Sequence, residues 1–432
     1  MATTRRQFIQ RSATAVSLGV VMPNLFLSEA LGQTADTQNS KKLVVIQMSG
    51  GNDGFNTVIP FSDSRYLALR PKLAFRESEL NTAKGSMLLS GNIGLHPALT
   101  EIKDLWDAGK VAIVQGVGYP NSTLSHFLAM DVWHTADTTG LAGKGWLGKY
   151  ADVALVGQAG LPAAAVAGEL PKTFYAERVV IPNIISFQFY NFLTDPAYPN
   201  DARNQVNTFY QAASRNLSTS QFLGSINHTA FEALTSAQKV QAALSSYQSS
   251  VVYNSQNPLA VALQMLAQIL VTMPEANLLY AAIHGFDHHA DQVDHSTGQA
   301  NKFAGQHHLL LRWFSEAVKS FYDDLAEHNL ADKTLMMQWS EFGRRPGENA
   351  SFGTDHGTTS NMFIIGDPVS GGFYGQQPSL AALELDAGGN PKHHVDFRSV
   401  YSTILNRWLG ADARAILGAQ YEDVGFLSQV TP

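Results

Sequence analysis

Cysteine is absent from the 432-residue chain, so the chain can form neither disulfide bonds nor thiolate metal sites. Positive charge is also scarce, since 29 Lys and Arg residues stand against 36 Asp and Glu and leave a formal net charge of -7. A chain this acidic has no broad basic surface, which excludes nucleic acid as a partner. Neither a GxGxxG nor a GK[ST] segment follows the first predicted strand, which excludes the common dinucleotide and P-loop sites there.

Long hydrophobic runs are missing too, because the moderately apolar stretch at residues 13–27 is too short to cross a bilayer. It follows a twin-arginine pattern at residues 4–10 (TRRQFIQ) and precedes the small residues 30–32. We therefore predict a twin-arginine signal peptide over residues 1–32 and a flexible leader over residues 33–41. Without the signal peptide, 26 basic and 35 acidic residues give a charge of about -9. The expected location is periplasmic or extracellular, with the twin-arginine translocase as partner during export and no transmembrane span in the mature chain.

The rest of the sequence is typical of a folded globular chain, with 45% hydrophobic and 15% charged residues. Short apolar runs predict buried strands, and helical patterns separate several of them. The predicted strands are residues 42–48, 111–117, 163–167, 276–283, 334–339 and 361–365. Residues 182–252 are rich in Ser, Gln, Asn and Ala at helical spacing, so we predict an inserted helical cap there. Residues 371–375 are predicted to be a turn-rich surface segment.

The first candidate metal ligand, Asp53, follows the first predicted strand in the segment SGGNDG. Gly50 and Gly51 allow a tight turn that places Asn52 and Asp53 at the carboxyl end of the strand. Open α/β sheets bind their ligands at that end, which favours Asp53 as a ligand. The alternative is a turn aspartate that caps its own backbone.

Two later segments, GFDHHAD and GTDHG, place acidic and imidazole side chains after other predicted strands. They contain Asp287 and His289 in the first case and Asp355 and His356 in the second. Such residues suit a hard or borderline divalent cation. Glu341 follows a neighbouring strand and could act as a ligand, as support for His356 or as a general base. The alternative is a solvated loop with surface ion pairs.

A strand, a loop and a hydroxyl-bearing helix start follow one another in GVGYPNSTLSHF. Ser125 and His126 lie at this helix start, where a nucleophile would meet the positive end of a helix dipole, which helps to bind an anionic group. The alternative makes Ser122 or Thr123 the N-cap and leaves Ser125 and His126 in the first turn.

Two further pairs of neighbouring residues complete the candidate site. Arg344 or Arg345 could clamp an anion, with exposed solubilising charge as the alternative. His393 or His394, just before the final predicted helix, could point back at the site.

Long sequence blocks across residues 42–427 resemble a known family. In GGNDGFNTVIP, GVGYPNSTLSHFLAMDVWHT, GFDHHADQ, SEFGRRPGENASFGTDHGTT and DFRSVYSTILNRWLG the chain resembles the domain-of-unknown-function 1501 family of twin-arginine-exported bacterial proteins. That family is similar to the alkaline phosphatase, sulfatase and cofactor-independent phosphoglycerate mutase superfamily, and TDHG resembles the mutases' Ala-Asp-His-Gly metal motif. The resemblance implies one α/β domain over residues 42–427, a three-layer sandwich with a central, mostly parallel sheet, with residues 182–252 as its helical insertion.

The resemblance also implies a divalent metal, as one or two ions, without selecting among Zn, Mn, Mg and Ca. The implied ligands are Asp53, Asp355 and His356 for one ion, and Asp287, His289 and His393 or His394 for the other.

For catalysis, the resemblance puts Ser125 in the nucleophile's place, with Ser122 as the alternative because the segment NS followed by His126 is similar to the mutases' Asn-Ser segment. His126, Glu341 and Arg344 complete the candidate catalytic set. The chain departs from the phosphatase pattern, since Asp287 and His289 are closer in sequence and Glu341 has no counterpart. It also lacks the cysteine that a sulfatase formylglycine requires.

The implied function is that of an exported metal-dependent hydrolase acting on a small anionic ester, either a phosphate or a sulfate. The alternative is a non-catalytic envelope binding protein on a degenerate alkaline-phosphatase-like scaffold.

Overall fold

The computed structural model describes residues 41–158, 160–187 and 245–428, with a few positions between 204 and 241. The predicted signal peptide, nearly all of the predicted leader and most of the predicted helical insertion lie outside the described residues. The chain divides into two compact units. Among the described residues, the first comprises those within Gly143–Gln248 and Gln268–Leu279, and the second those within Lys41–Ala142, Ser249–Ala267 and Tyr280–Pro432. The predicted domain boundaries stay a prediction.

The strands are numbered β1 to β14 in chain order. They are β1 Lys42–Ser49, β2 Val58–Ile59, β3 Asn81–Thr82, β4 Gly85–Ser86, β5 Gly94–Leu95, β6 Val111–Gly118, β7 Ala163–Val166, β8 Leu278–His284, β9 Thr334–Trp339, β10 Gly343–Arg344, β11 His356–Gly357, β12 Ser360–Ile365, β13 Gly372–Gly375 and β14 Val395–Asp396. Each of the six predicted strands is present, with its ends within two residues of the prediction.

The α-helices of the described residues are numbered α1 to α9. They are α1 Gly54–Thr57, α2 Ser64–Leu69, α3 Thr100–Asp107, α4 His126–Thr135, α5 Trp146–Ala154, α6 Pro258–Thr272, α7 Gln306–Glu327, α8 Phe397–Thr403 and α9 Ala413–Leu417. A π-helical stretch, Ile404–Trp408, continues α8. Among these residues, no helix combines the length and the apolar character needed to cross a membrane.

A mixed, mostly parallel sheet forms the centre of the second unit. Its strand order there is β13, β6, β12, β9, β1 and β8, with β14 also pairing with β6. β1 pairs in parallel with β9, and β13 and β14 pair in parallel with β6, whereas β12 is antiparallel to both of its neighbours. The predicted α/β class with a central, mostly parallel sheet is confirmed.

The core of this unit contains the strands and one face of helix α7. β1, β6 and β9 are buried along their whole length, so their sequences are continuous apolar runs instead of alternating ones. Helix α7 buries Leu311, Phe314 and Phe321. Its buried Ser315 Oγ accepts hydrogen bonds from the backbone N–H groups of Glu101 and Ile102, each at 3.1 Å. Those bonds satisfy the first turn of α3, whose N–H groups have no partner within the helix.

The first unit contains β7 and α5. Asp152 of α5 accepts a hydrogen bond from the backbone N–H of Glu177 at 2.7 Å and one from that of Arg178 at 2.6 Å. These bonds fix the chain segment that follows β7 against the helix. Burial raises the pKa of the Asp152 carboxyl, although the bond from Arg178 opposes it.

The prediction that residues 371–375 form a turn-rich segment is wrong, whereas their predicted position at the surface agrees with the structure, in which none of them is buried. Residues Gly372–Gly375 form the edge strand β13, and Phe373 packs on Trp106 with ring centroids 4.8 Å apart. Glycine is depleted in strands, which is why the sequence pattern missed this one. β13 stands at the end of the strand order, next to β6.

Candidate metal centre

The loops that follow β9, β1 and β8 converge at one edge of the sheet. These three strands are neighbours, and β1 runs parallel to β9. The carbonyl of Ser49, the last residue of β1, accepts hydrogen bonds from the N–H groups of Gly285 (3.2 Å) and Phe286 (3.1 Å). Residues that lie far apart in sequence are therefore brought to one site, as expected for the carboxyl ends of strands in an α/β sheet.

Gly50 belongs to the loop after β1 and lies where that loop meets the loops after β8 and β9. Its φ of +122° is unfavourable for residues with a side chain. A Cβ atom there would lie 2.5 Å from the backbone nitrogen of Asp287. Its own N–H donates to Glu341 Oε1 at 2.8 Å, which ties the loop after β1 to the loop after β9. The glycine thus allows the backbones that carry Asp287 and Glu341 to approach each other.

His126, Asp287 and His356 form the centre of the site. His356 Nε2 lies 3.1 Å from Asp287 Oδ1, and His126 Nε2 lies 3.4 Å from Asp287 Oδ2. One ligating atom from each of the three residues lies within 4.8 Å of the others. The rings of His126 and His356 meet edge to face with centroids 4.5 Å apart. Two imidazole nitrogens therefore face a shared carboxylate.

His289 adds a third imidazole beside this group. Its Nε2 is 2.9 Å from His356 Nε2 and 3.3 Å from Asp287 Oδ1. Its other nitrogen, Nδ1, is 3.2 Å from Asp355 Oδ1. Asp355 therefore lies behind His289, as the hydrogen-bond acceptor of the His289 ring, and does not belong to the group formed by His126, Asp287 and His356. Its carboxylate also accepts from Asn349 Nδ2 at 3.2 Å.

Glu341 fixes the orientation of His126. Its side chain is fully buried, and Oε1 lies 2.8 Å from His126 Nδ1 while Oε2 accepts from Ser340 Oγ at 3.3 Å. The bond to Glu341 raises the pKa of the His126 imidazole, and burial opposes this rise. With Nδ1 bonded to the carboxylate, Nε2 is the nitrogen turned towards Asp287. This carboxylate–histidine arrangement is the usual support of an imidazole metal ligand.

The donor set fits a metal ion. Burial opposes ionisation of Asp287, but the bonds from Arg344 and His356 prevail and lower the pKa of the Asp287 carboxyl. Burial lowers the pKa of His356, although the bond to Asp287 opposes this. Near neutral pH the carboxylate is thus charged and the His356 ring is neutral, and these are the protonation states that ligate metal. Imidazole-rich sets with one carboxylate favour zinc and similar transition metals over magnesium or calcium.

Arg344 lies inside the protein, and the structure does not place it where it could clamp a substrate anion. Its side chain is buried, and its Nη2 donates to Asp287 Oδ1 at 2.7 Å. The remaining donors bind the backbone carbonyls of Gly51 at 2.6 Å, Thr354 at 2.8 Å, Phe286 at 3.1 Å and also Gly50. Arg344 therefore connects the loops after β1 and β8 with the loop that carries His356.

Asp53 is not part of the central group. It is buried and paired with Arg70, with Nη1 to Oδ2 at 2.6 Å and Nη2 to Oδ1 at 3.0 Å. Gln292 Nε2 also donates to Oδ2 at 2.6 Å. Burial would raise the pKa of the Asp53 carboxyl, but the charge and hydrogen bonds of Arg70 prevail and lower it. Both carboxylate oxygens that were expected to bind metal are occupied by protein donors.

The remaining predicted residues lie around the centre. Ser125 is the N-cap of α4, its hydroxyl makes no capping bond, and it directly precedes His126. His356 Nδ1 lies 2.8 Å from the carbonyl of Leu124, so the loop carrying Ser125 borders the centre. His393 is half-buried and lies against Gly118. Its assignment as a ligand stays a prediction.

Sequence reasoning missed two features of the site. His126 was expected in a catalytic role, and the sequence did not show that its ring faces Asp287 as a metal ligand would. Arg70 was not singled out at all, since a lone arginine in LALRPK carries no signal. Glu341, whose role the sequence left open, was the one signal for the orientation of His126, because a carboxylate after a buried strand needs a hydrogen-bonding partner.

The importance of Glu341 gives a first prediction. Glu341→Gln is expected to weaken zinc binding about 10- to 100-fold. The glutamine amide holds the His126 ring less firmly than the carboxylate does, and the negative charge beside that ring is lost. Competition with a chromogenic chelator measures the affinity. Glu348→Gln is the control, since Glu348 accepts backbone bonds from Lys72 and Leu73 but does not contact the central residues. Equal zinc affinity in wild type and Glu341→Gln would contradict the orienting role.

The sequence matches a family model described as "Protein of unknown function (DUF1501)" over residues 111–420. None of the curated proteins matches the chain.

Several solved structures are similar to the chain. A protein in the alkaline phosphatase superfamily from Vibrio parahaemolyticus shares 11% identity and a TM-score of 0.39 over 96% of this chain and 78% of that one. The PsFucS1 sulfatase from Pseudoalteromonas sp. shares 12% identity and a TM-score of 0.37 over 90% of this chain and 74% of that one. The alkaline phosphatase from the Antarctic bacterium TAB5 shares 12% identity and a TM-score of 0.33 over 76% and 92%. These TM-scores are low, so the function has to be derived from the residues of the site itself.

Proposed function

Because the chain belongs to the DUF1501 family, a family of proteins of unknown function, we propose its activity from its own site: metal-dependent hydrolysis of a phosphate or sulfate ester. The observation that carries the proposal is the convergence of His126, Asp287 and His356, with ligating atoms within 4.8 Å of one another. The half-exposed side chains of Asp287 and His289 leave the centre accessible to a small substrate.

The chain's own residues would hold a zinc-type ion at this centre. His126, His289 and His356 would supply nitrogen and Asp287 oxygen, while Glu341 orients the first of these rings. When bound, such an ion neutralises ester oxygens and lowers the pKa of a hydroxyl or water. Asp355 would hold His289 in place through its bond to Nδ1.

Ser125 is the proposed nucleophile, with Ser122 in the same loop as the alternative. The position of Ser125 at the N-cap of α4, where its hydroxyl makes no capping bond, supports the choice of Ser125. Its oxygen would bond to phosphorus or sulfur as the bond to the leaving oxygen breaks, and its proton would end on the leaving alcohol. Attack by water on the serine ester would then release phosphate or sulfate and restore the hydroxyl.

Arg345 is the proposed contact for the negative charge of the substrate. It is exposed, it directly follows Arg344, and its Nε donates to the carbonyl of His356 at 3.4 Å. Within the part of the chain that the structure describes, its terminal nitrogens bind no other residue. A guanidinium with free terminal nitrogens can bind two oxygens of a phosphate or sulfate at once.

A panel of aryl phosphates and aryl sulfates tests the proposal on purified mature protein loaded with zinc. We expect turnover of at least one ester class, and a loss of roughly 100-fold or more in kcat for Ser125→Ala if its oxygen attacks. Ser428→Ala is the matched control, because Ser428 contacts Ser370 and not the centre. No turnover of any ester, with metal bound, would refute the hydrolase.

That negative result would favour a non-catalytic envelope binding protein on the same scaffold, which the pairing of Asp53 with Arg70 also supports. Export to the periplasm or beyond through the twin-arginine translocase is part of the proposal and is supported by the Arg5-Arg6 pair and the apolar stretch after it.

A further inference from the structure

A pocket lined by oxygen atoms surrounds the Arg70 side chain beside the metal centre. Asp53 contributes both carboxylate oxygens, Asn56 contributes Oδ1, and Arg345 and Pro346 contribute backbone carbonyls. The side chains of Arg70 and Asp53 are 0% and 1% exposed. An oxygen-lined pocket of this kind resembles in composition the sites that hold hard cations.

Every oxygen atom of this pocket accepts a hydrogen bond from the Arg70 guanidinium. Its Nε donates to Pro346 O at 2.7 Å, and its Nη1 donates to Asp53 Oδ2 at 2.6 Å and Asn56 Oδ1 at 2.8 Å. Its Nη2 donates to Asp53 Oδ1 at 3.0 Å and Arg345 O at 2.8 Å. These bonds use all five N–H groups of an arginine. Tyr66 donates to the same Asn56 oxygen at 2.8 Å and so fixes the pocket from the other side.

A divalent ion and this guanidinium cannot share Asp53. The two carboxylate oxygens already accept three short bonds, and a second cation beside a buried guanidinium would be repelled strongly in a medium of low dielectric constant. Removing Arg70 from the pocket would leave a buried carboxylate without charge compensation. Arg70 therefore excludes a metal ion from Asp53.

We propose that Arg70 is a built-in cation that fills the place expected for a second metal ion, so that each chain holds one ion, bound by the His126, Asp287 and His356 group. The inference rests on the proposed function, because it counts the ions of that centre. It also gives Asp53 a structural role in the loop after β1 in place of the predicted role as ligand.

The metal content of zinc-loaded protein, measured by mass spectrometry after gel filtration, tests this inference. We expect one equivalent of zinc in wild type and one in Asp53→Asn, with Tm lowered by roughly 5 °C or more in the variant because Arg70 loses its counter-charge. Arg70→Lys, which keeps the charge with fewer donors, is also expected to bind one equivalent and serves if Asp53→Asn does not fold.

The alternative outcomes are distinct. Two equivalents in wild type that fall to one in Asp53→Asn would overturn the inference and leave the proposed function standing. No zinc in wild type would overturn the inference and the metal centre together. Loss of zinc from Asp53→Asn, with the folded state retained, would show that Asp53 is a ligand.

Discussion

Replacing Arg344 with leucine is expected to lower the free energy of unfolding by about 3–5 kcal/mol, since the change leaves several buried carbonyls without a donor and removes the charged donor of the Asp287 carboxylate. The affected acceptors belong to the loops after β1 and β8 and to the loop between β10 and β11, which Arg344 connects. A total stability of about 5–15 kcal/mol is usual for a protein domain, so the loss is a large share of it. Chemical denaturation followed by circular dichroism measures the change.

The neighbouring arginine provides the control. Arg345 is exposed, and its side chain makes one long bond, to the carbonyl of His356. Arg345→Leu is expected to change the free energy of unfolding by about 0.5 kcal/mol or less, yet to raise KM for an anionic ester if Arg345 binds its charge. Equal stability losses in the two variants would show that Arg344 does not support the site through its buried bonds.

The two arginines illustrate what the sequence could predict. They are adjacent in GRRPG, and the pattern alone could not choose between them as anion contacts. The choice depends on strand pairing, because β10 pairs with β11 so that Arg344 lies opposite His356. Such pairing brings together residues that are distant in sequence, and no local pattern records it.

The strands and their polar ends were predictable, because short apolar runs bounded by turn residues are a signal for buried strands. The clustering of Asp287 and His289 with His356 followed from the rule that parallel strands bring their carboxyl ends to one edge. The hydrogen-bonding partner of each carboxylate could not be predicted from that rule or from the sequence. Asp53 looked like a ligand because the sequence did not reveal that the Arg70 side chain lies buried against it.

His126 shows the same limit from the other direction. The sequence placed it at the start of a helix, where the dipole argument pointed to Ser125 next to it and the capping argument to Ser122 or Thr123. Its role as a ligand depends on the rotation of one ring, which Glu341 sets through a bond across 215 residues of chain. A buried acid after a strand is a signal that something must compensate its charge, but only the fold identifies the compensating group.

Removal of His356 is expected to have the largest effect on the metal. His356 contributes Nε2 to the centre and lies within 3.1 Å of both His289 Nε2 and Asp287 Oδ1. Structural zinc sites with four ligands bind with about 10–16 kcal/mol, so one ligand of a set accounts for roughly 3 kcal/mol, or about 100-fold in affinity. His356→Ala should therefore bind zinc at least about 100-fold more weakly than wild type.

Two measurements check this expectation independently of any activity. Chelator competition gives the zinc affinity of each variant, and thermal unfolding with and without EDTA gives the stability that the ion contributes. The Tm of wild type is expected to fall when EDTA is added, whereas the Tm of His356→Ala should be the same with and without EDTA. His295→Ala is the control, because His295 is partly exposed and pairs with Asp291 outside the centre.

The outcome also discriminates between the residues that surround the centre. If zinc binds through His126, Asp287, His289 and His356, then His356→Ala loses the EDTA effect while Asp355→Ala, which removes only the support of His289, keeps most of it. If the ion instead used Asp355 as a direct ligand, both variants would lose the effect to a similar extent. A His356→Ala protein that keeps wild-type zinc affinity would exclude the proposed centre, because His356 Nε2 is one of its ligands.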